Sequence, residues 1–365
     1  MALLQKLNAM RRRLMYHLTR NVGKQNENKV LFQDKSEIKT ILVTRPNHRL
    51  GNLLLITPLL QELENNFPDS KIDVFLKGNL GPIVLKEYKN VRNIISLPKN
   101  HFKKLPAYLY TWIKLSTQKY DLVINAVPES SSGKLSTKLC RGKYKIFGDE
   151  NDKKTEPQQH IAKLPVFNFR NFIRGNQIGL DFAVPTLNLK LTSAEVDNGK
   201  AILREIVKND KKTIAIFTYA TGTKCYKKNW WMEFYTALQN RFPGYNIIEI
   251  LPKENVSQID FAAATFYSRD LREIAGLLAN TAVFIGADSG MMHLAVAAQI
   301  PVAGLFSVTD CNKYKPYGGR NIAINTNKTS ILTGIKQIAH ILEEDDKKNN
   351  LIHYFPIFNS NLKPA

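Results

Sequence analysis

Three stretches of this chain hold residues whose types and spacing could do chemistry. The first is Asp288-Ser289-Gly290. An apolar run from Val283 to Ala287 reads as a buried strand, and after the triplet Met291, Leu294, Ala295 and Ala298 share one face of a helix. A strand, a turn of small residues and a helix N-terminus offer unpaired N–H groups and the positive end of a helix dipole, which favour an anion such as phosphate. The same triplet also reads as a plain helix N-cap. The second stretch runs from Thr218 to Asn229, beyond a strand from Thr213 to Phe217. Its hydroxyls, Thr221 among them, with Gly222 and the lysines Lys224, Lys227 and Lys228, make a phosphate-binding loop without Walker spacing. The third is Thr44 to Asn52, a loop with Pro46, His48 and Gly51 between a strand at Ile41 to Val43 and a helical segment from Leu53 to Asn66. Pro58 either opens the regular part of that helix or kinks it.

Short apolar strands alternating with helices must position these loops. In the first half, strands are expected at Ile72 to Leu76, Ile94 to Leu97 and Leu122 to Ala126, the last followed by Pro128-Glu129-Ser130. In the second half they are expected at Ile247 to Leu251, Val302 to Phe306 and Asn321 to Ile324, with helices at Trp230 to Arg241, Asp270 to Leu278 and Ser330 to Leu342. The rhythm is that of α/β domains with parallel sheets, in which ligands lie at the carboxyl ends of the strands.

A chain of 365 residues, 44% hydrophobic and 23% charged, can build two soluble domains with full cores. Fifty-two Lys and Arg against thirty-one Asp and Glu leave a net charge of +21, which calls for an anionic partner: nucleic acid, an acidic membrane surface or a phosphorylated substrate. The three cysteines, Cys140, Cys225 and Cys311, lie too far apart for a zinc motif or a disulfide framework, and a reducing, cytoplasmic setting fits them. No apolar run nears the roughly eighteen residues of a membrane span. Arg11, Arg12 and Arg13 interrupt what would be the core of a signal peptide. Leu3, Leu7, Met10, Leu14 and Leu18 instead fall at helical spacing among basic residues, the pattern either of a helix lying on an anionic bilayer or of one packed on its own domain.

Residues 149 to 190 break the α/β rhythm, and a domain boundary is expected near Pro185. The aromatic and basic piece 167–176 reads as a helix packed at that junction; as a nucleic-acid surface it lacks any RNA-binding signature. The expected organisation is a basic N-terminal helix and linker over 1–37, a first α/β domain over 38–185, a second over 186–343 and a tail over 344–365.

The order of these signals resembles glycosyltransferase family 9, the bacterial heptosyltransferases of the lipopolysaccharide inner core, from about residue 39 to 343. Three pieces carry the resemblance. The segment from Arg49 to Val74 is similar to the family's Gly-Asp turn and apolar helix with Pro; ATGTKCYKKNW (220–230) resembles its loop ending in Lys-x-Trp; and GADSGMMHLAVAAQIPVAGLF (286–306) resembles its Asp-Thr/Ser-Gly-x-x-His-Leu signature. The resemblance implies a GT-B architecture, two Rossmann-like domains facing across a cleft, and an inverting transfer that uses no metal and no cofactor. It places the donor on Thr221, Gly222, Lys228, Asp288, Ser289, Gly290 and Met291, with Lys228 on the diphosphate and His293 read as a packed histidine.

One position departs from the family pattern. The resemblance assigns the general base to the aspartate of the Gly-Asp turn, and this chain has Asn52 there. An amide cannot take the acceptor's proton, a contribution worth about 10²- to 10⁴-fold in rate. Glu129, past a strand end, and His48, in the same loop, are the candidate replacements. The expected function is transfer of a heptose or related sugar from an ADP-heptose-like donor to a lipopolysaccharide core or other anionic glycolipid; the alternative is a binder of the same ligands that has lost its base. No nucleic acid is expected as partner. The expected location is the cytoplasm, with peripheral contact at the inner face of the cytoplasmic membrane.

Overall fold

A computed structural model describes residues 16–23, 34–99, 104–148, 160–174 and 183–354, together with Met10 and Arg13. Leu3, Leu7 and Leu14 of the N-terminal stripe, and the end of the 344–365 tail, lie outside the described residues. The first half runs β1 (Thr40–Thr44), α1 (Leu50–Leu54), α2 (Thr57–Asn66), β2 (Lys71–Lys77), α3 (Gly81–Val84), β3 (Val91–Leu97), α4 (Leu105–Thr117), β4 (Lys119–Asn125), α5 (Ser131–Leu139), β5 (Arg141–Ile146) and α6 (Leu164–Arg174). The second runs α7 (Ser193–Val207), β6 (Thr213–Phe217), α8 (Lys228–Arg241), β7 (Asn246–Ile250), β8 (Ala264–Phe266), α9 (Leu271–Leu278), β9 (Val283–Ala287), α10 (Gly290–Ala297), β10 (Val302–Phe306), α11 (Cys311–Tyr314), β11 (Ile322–Asn325) and α12 (Ile331–Tyr354).

Every paired strand is parallel, in the orders β3-β2-β1-β4-β5 and β11-β10-β9-β6-β7-β8. Both are Rossmann orders, and the chain reverses direction across the sheet between β1 and β4 and between β6 and β9. Strands β1, β6, β9 and β10 are buried nearly throughout, as parallel strands covered on both faces must be. Pro58 stands in the first turn of α2, so it opens that helix, and the chain breaks after Leu54 instead of kinking. Helix α6 is the aromatic and basic piece: Val166 and Phe169 are buried and Arg170 pairs with Glu62, so it packs on the first half. Helix α12 continues past Leu342, with Glu343 paired to Arg241 of α8 at 3.0 Å.

One hydrophobic core runs through both halves, joining Leu53 to Leu63 of the first with Met292 to Ala298 of the second. The crossing segment 183–192 is pinned on both sides. Tyr88 donates to the Asn188 carbonyl at 2.7 Å, the Asn188 amide donates to Thr57 Oγ1 at 3.2 Å, and the Leu189 amide donates to Ala297 O at 2.9 Å. Arg272 of α9 locks the arrangement. Its buried guanidinium forms a bidentate pair with Glu195 at 2.5 and 2.7 Å and donates to the carbonyls of Ile83, Leu189 and Lys190 at 3.1 to 3.2 Å.

The Arg272 bonds hold the Glu195 carboxylate down to about 2 from an ordinary 4.5. A depressed carboxylate stabilises the fold fully above the ordinary value and loses that contribution as pH falls toward the folded one. Arg272→Met should therefore cost about 3 kcal/mol at neutral pH, because it removes the cation paired with Glu195, which keeps the Thr192 amide, and the donor to three carbonyls. The variant should also lose part of the wild-type stability decline between pH 5 and 2, measured by denaturant titration at each pH.

Candidate functional site

The carboxyl ends of both sheets open onto a single cavity of about 880 Å³ between the halves. On the first half, β1 leads through residues 45–49 into α1, whose N-cap, Arg49, makes no side-chain cap; Arg49, Leu50, Gly51 and Asn52 all face the cavity. On the second half, β9 leads through Asp288 and Ser289 into α10. Ser289 Oγ accepts from the Met292 amide at 3.3 Å, so the cap reading holds, while the amides of Gly290 and Met291 at the first turn remain for a ligand. The two helix starts touch. A Cβ on Gly51 would lie 2.8 Å from His293 Cδ2 and 3.4 Å from Gly290 Cα, and one on Gly290 would lie 3.3 Å from the Gly51 amide nitrogen. A side chain at Gly51 would force His293 to shift, and one at Gly290 would press on Leu50 and the Gly51 backbone.

Asp288 is the centre of the second wall. Its Oδ2 accepts from Lys224 Nζ at 2.6 Å and from Thr309 Oγ1 at 2.7 Å, and its Oδ1 lies 3.9 Å from His293 Nε2. Burial holds the His293 imidazole below its ordinary 6.5, with Asp288 pulling it back up and Lys224 adding to the fall, so the ring is neutral at pH 7. Lys224 ends a 3-10 turn, Gly222–Lys224, that Gly222 starts in the left-handed region at φ +67°. The loop is anchored beneath by Thr218, whose hydroxyl donates to the buried Glu249 at 2.5 Å and accepts from the Gln258 amide at 3.1 Å. Arg49, Lys224, Lys253 and Arg269 face the cavity against the acids Asp288 and Glu254, a basic lining suited to an anion.

Behind the first wall sits a buried cation. Arg45 donates through Nη2 to Asn52 Oδ1 at 2.8 Å and through Nε to the Asn52 carbonyl at 3.4 Å. Burial lowers its guanidinium to about 10, partly opposed by Tyr314, so it stays charged with an amide where a carboxylate would neutralise it. Arginine only donates, which fixes the amide: Oδ1 faces Arg45 and Nδ2 is the group Asn52 has left for the cavity.

Of the residues expected from sequence at the donor site, Thr221, Asp288, Ser289, Gly290 and Met291 line the cavity together. Gly222 and Lys228 do not; Gly222 shapes the turn, and Lys228 Nζ pairs with Asp260 at 2.6 Å on the exposed surface. The lysine of this loop that faces the cavity is Lys224, four residues earlier. Of the three expected at the base position, Asn52 lines the cavity, and Glu129 and His48 are not among its lining residues. Glu129 is exposed and pairs across the two halves with Lys313 at 3.3 Å, next to the cavity-lining Tyr314 but outside the lining itself. His48 lies outside the lining, its pKa lowered by partial burial and by Lys77, Lys99 and Arg49. Sequence reading did not single out Arg45, Thr309 or Glu254. Glu254 had a signal: it follows β7, the second strand of its Rossmann unit, where an acid commonly meets ribose hydroxyls.

Comparisons with known proteins agree with this architecture. The family model described as glycosyltransferase family 9 (heptosyltransferase) matches residues 111–337. Among curated relatives, lipopolysaccharide heptosyltransferase 3 of Escherichia coli K12 is 27% identical over 292 residues, covering 73% of this chain and 82% of the relative. Among solved structures, a family 9 glycosyltransferase from Veillonella parvula superposes with a TM-score of 0.66 at 17% identity, covering 86% of this chain and 98% of that one. The E. coli heptosyltransferase WaaC with ADP superposes with a TM-score of 0.58 at 19% identity, covering 84% and 99%. The fold is thus GT-B, as expected from the sequence.

The geometry separates the two lysines by experiment. Lys224→Met should weaken binding of inorganic pyrophosphate by about ten- to a hundredfold, the worth of one charge-assisted hydrogen bond. Lys228→Met should change it less than about twofold, as expected for an exposed ion pair. Isothermal titration calorimetry on both variants decides between them.

Proposed function

This chain belongs to glycosyltransferase family 9, and from that premise we propose that it transfers a heptose or related sugar from a nucleotide-sugar donor to a lipopolysaccharide core or other anionic glycolipid, with inversion and without a metal. The observation that carries the reading is the Lys224–Asp288 pair beside the start of α10, facing α1 across the cleft. In such a transfer the acceptor oxygen bonds to the anomeric carbon, the bond from that carbon to the diphosphate breaks, and the hydroxyl proton goes to a base. The diphosphate leaves with added negative charge, which Lys224 and the amides of Gly290 and Met291, at the cavity wall, would meet. Lys224 then exchanges Asp288 for the diphosphate, and Glu254 takes the ribose hydroxyls.

Asn52 binds the acceptor as a donor through Nδ2. The proton goes to the Asp288–His293 pair: a neutral imidazole beside a carboxylate, packed against Gly51 where the two substrates meet. His293→Gln should lower kcat by about 10²-fold or more while changing donor affinity less than about threefold. A drop in affinity equal to the drop in kcat would assign His293 to packing alone.

A second reading, a binder that holds the same ligands without transferring the sugar, is favoured by the amide at position 52 against the charged Arg45. Incubation with ADP-heptose and truncated lipopolysaccharide, followed by ADP release and acceptor mass, tests both. The expected result is transfer by the wild type, undiminished by EDTA, and a loss in Asn52→Asp, whose carboxylate would pair with Arg45 and remove the donor. No transfer by the wild type with any nucleotide sugar, and a large gain in Asn52→Asp, would establish the binder instead.

A further inference from the structure

Helix α4 covers the outer face of the first sheet with one side only. Leu115 is buried, Trp112 packs edge-on against Phe75 with ring centroids 5.4 Å apart, and Tyr108 packs on Trp112 at 6.2 Å. These three, spaced four and three residues apart, are the inner stripe. The next stripe round the helix is apolar too and faces out: Leu105 and Leu109 are each 52% exposed, Ile113 63% and Tyr110 66%. A helix that only had to close a core would carry polar residues there. Contiguous outward leucine, isoleucine and tyrosine mark a contact surface.

The charge around this stripe identifies the contact. From Lys89 to Lys145 the chain carries twelve Lys and Arg against two acids, Asp121 and Glu129; of the twelve, Arg92 pairs with Asp73, Lys143 with Glu37, and Lys134 is buried. Both acids are engaged elsewhere: Asp121 Oδ2 accepts from the amides of Lys39 and Thr40 at 2.9 and 2.8 Å, and Glu129 pairs with Lys313. Lys104 and Lys114 flank the apolar stripe on α4 itself, and neighbouring α5 ends in the exposed Lys138 and Leu139, with Arg141 just beyond. An acidic protein surface would match the lysines but not the leucines. An anionic bilayer matches both, because apolar side chains enter the acyl boundary while lysines stay among the headgroup phosphates. Towards the cleft, Lys77, Lys99 and Arg49 lie near enough to His48 to add to the lowering of its pKa that burial causes, and Arg49 lines the cavity, so basic charge extends to the cavity rim.

We propose that the outward face of α4, Leu105, Leu109, Tyr110 and Ile113 with Lys104 and Lys114, seats this protein on an anionic lipid bilayer. The surface is separate from the cavity, so it stands whether or not the sugar-transfer reading does. A protein resting on this face would present the basic rim of the cleft to the headgroup layer.

The test is co-sedimentation of the full chain with vesicles of phosphatidylcholine, with and without about one-third phosphatidylglycerol. The wild type should partition onto the anionic vesicles and be released by raised salt. Leu109→Glu with Ile113→Glu should lower the partition coefficient at least about tenfold, and Lys104→Glu with Lys114→Glu should do so through charge alone, leaving the apolar stripe in place. All four positions are exposed, so the thermal midpoint should not move. Wild-type binding retained by both double variants would overturn the proposal and place any membrane contact elsewhere. It would equally be overturned by a wild type that ignores anionic vesicles, or by one that instead self-associates through this face in an analytical ultracentrifuge.

Discussion

Gly51 and Gly290 stand where two helices begin, one from each half, and their backbones meet closely enough that a methyl group at Gly51 would strike His293. Much of the site follows from that contact. It brings the free amides of α10 opposite the loop after β1, sets His293 between Asp288 and Gly51, and leaves the cavity as the space the two helix starts do not fill. Parallel sheets alone would deliver loops to the carboxyl ends of their strands. The missing side chains bring two such sets of loops within reach of one small molecule.

Charge in this site is arranged around two cations with different partners. Lys224 is matched by Asp288, so a ligand anion must compete for it, and the carboxylate it releases becomes available to the ligand's hydroxyls. Arg45 is matched by an amide only, and its positive charge persists beneath the acceptor wall whatever binds. An aspartate at position 52 would cancel that charge. With Asn52 there instead, the wall is more electropositive than one carrying the aspartate that the family resemblance implies.

Much of this was legible in the sequence because it is local. The buried strands read as apolar runs, and Asp288-Ser289-Gly290 announced a helix start whose Ser289 cap is present. The strands that went unread, β5 and β8, lie at sheet edges. The former alternates Arg141, Lys143 and Lys145 with less polar residues, and the latter has three residues, so neither forms an apolar run. The choice among Lys224, Lys227 and Lys228 was not local: it depends on Gly222 adopting a left-handed turn that aims Lys224 inward and leaves Lys228 to open α8 at the surface. Arg45 was equally hidden, since nothing in a Thr-Arg-Pro sequence tells a buried guanidinium from a solvated one.

The strap formed by residues 183–192 and the Arg272 clamp has a mechanical consequence. Swinging the halves apart would strip donors from Ile83, Leu189 and Asn188 and split a core that both halves share. The width of the gap between the walls is therefore set by a shared core and by hydrogen bonds that bridge the halves. A gap fixed in this way by two backbones would select its occupants by girth, because neither wall has a side chain at Gly51 or Gly290 that could turn aside.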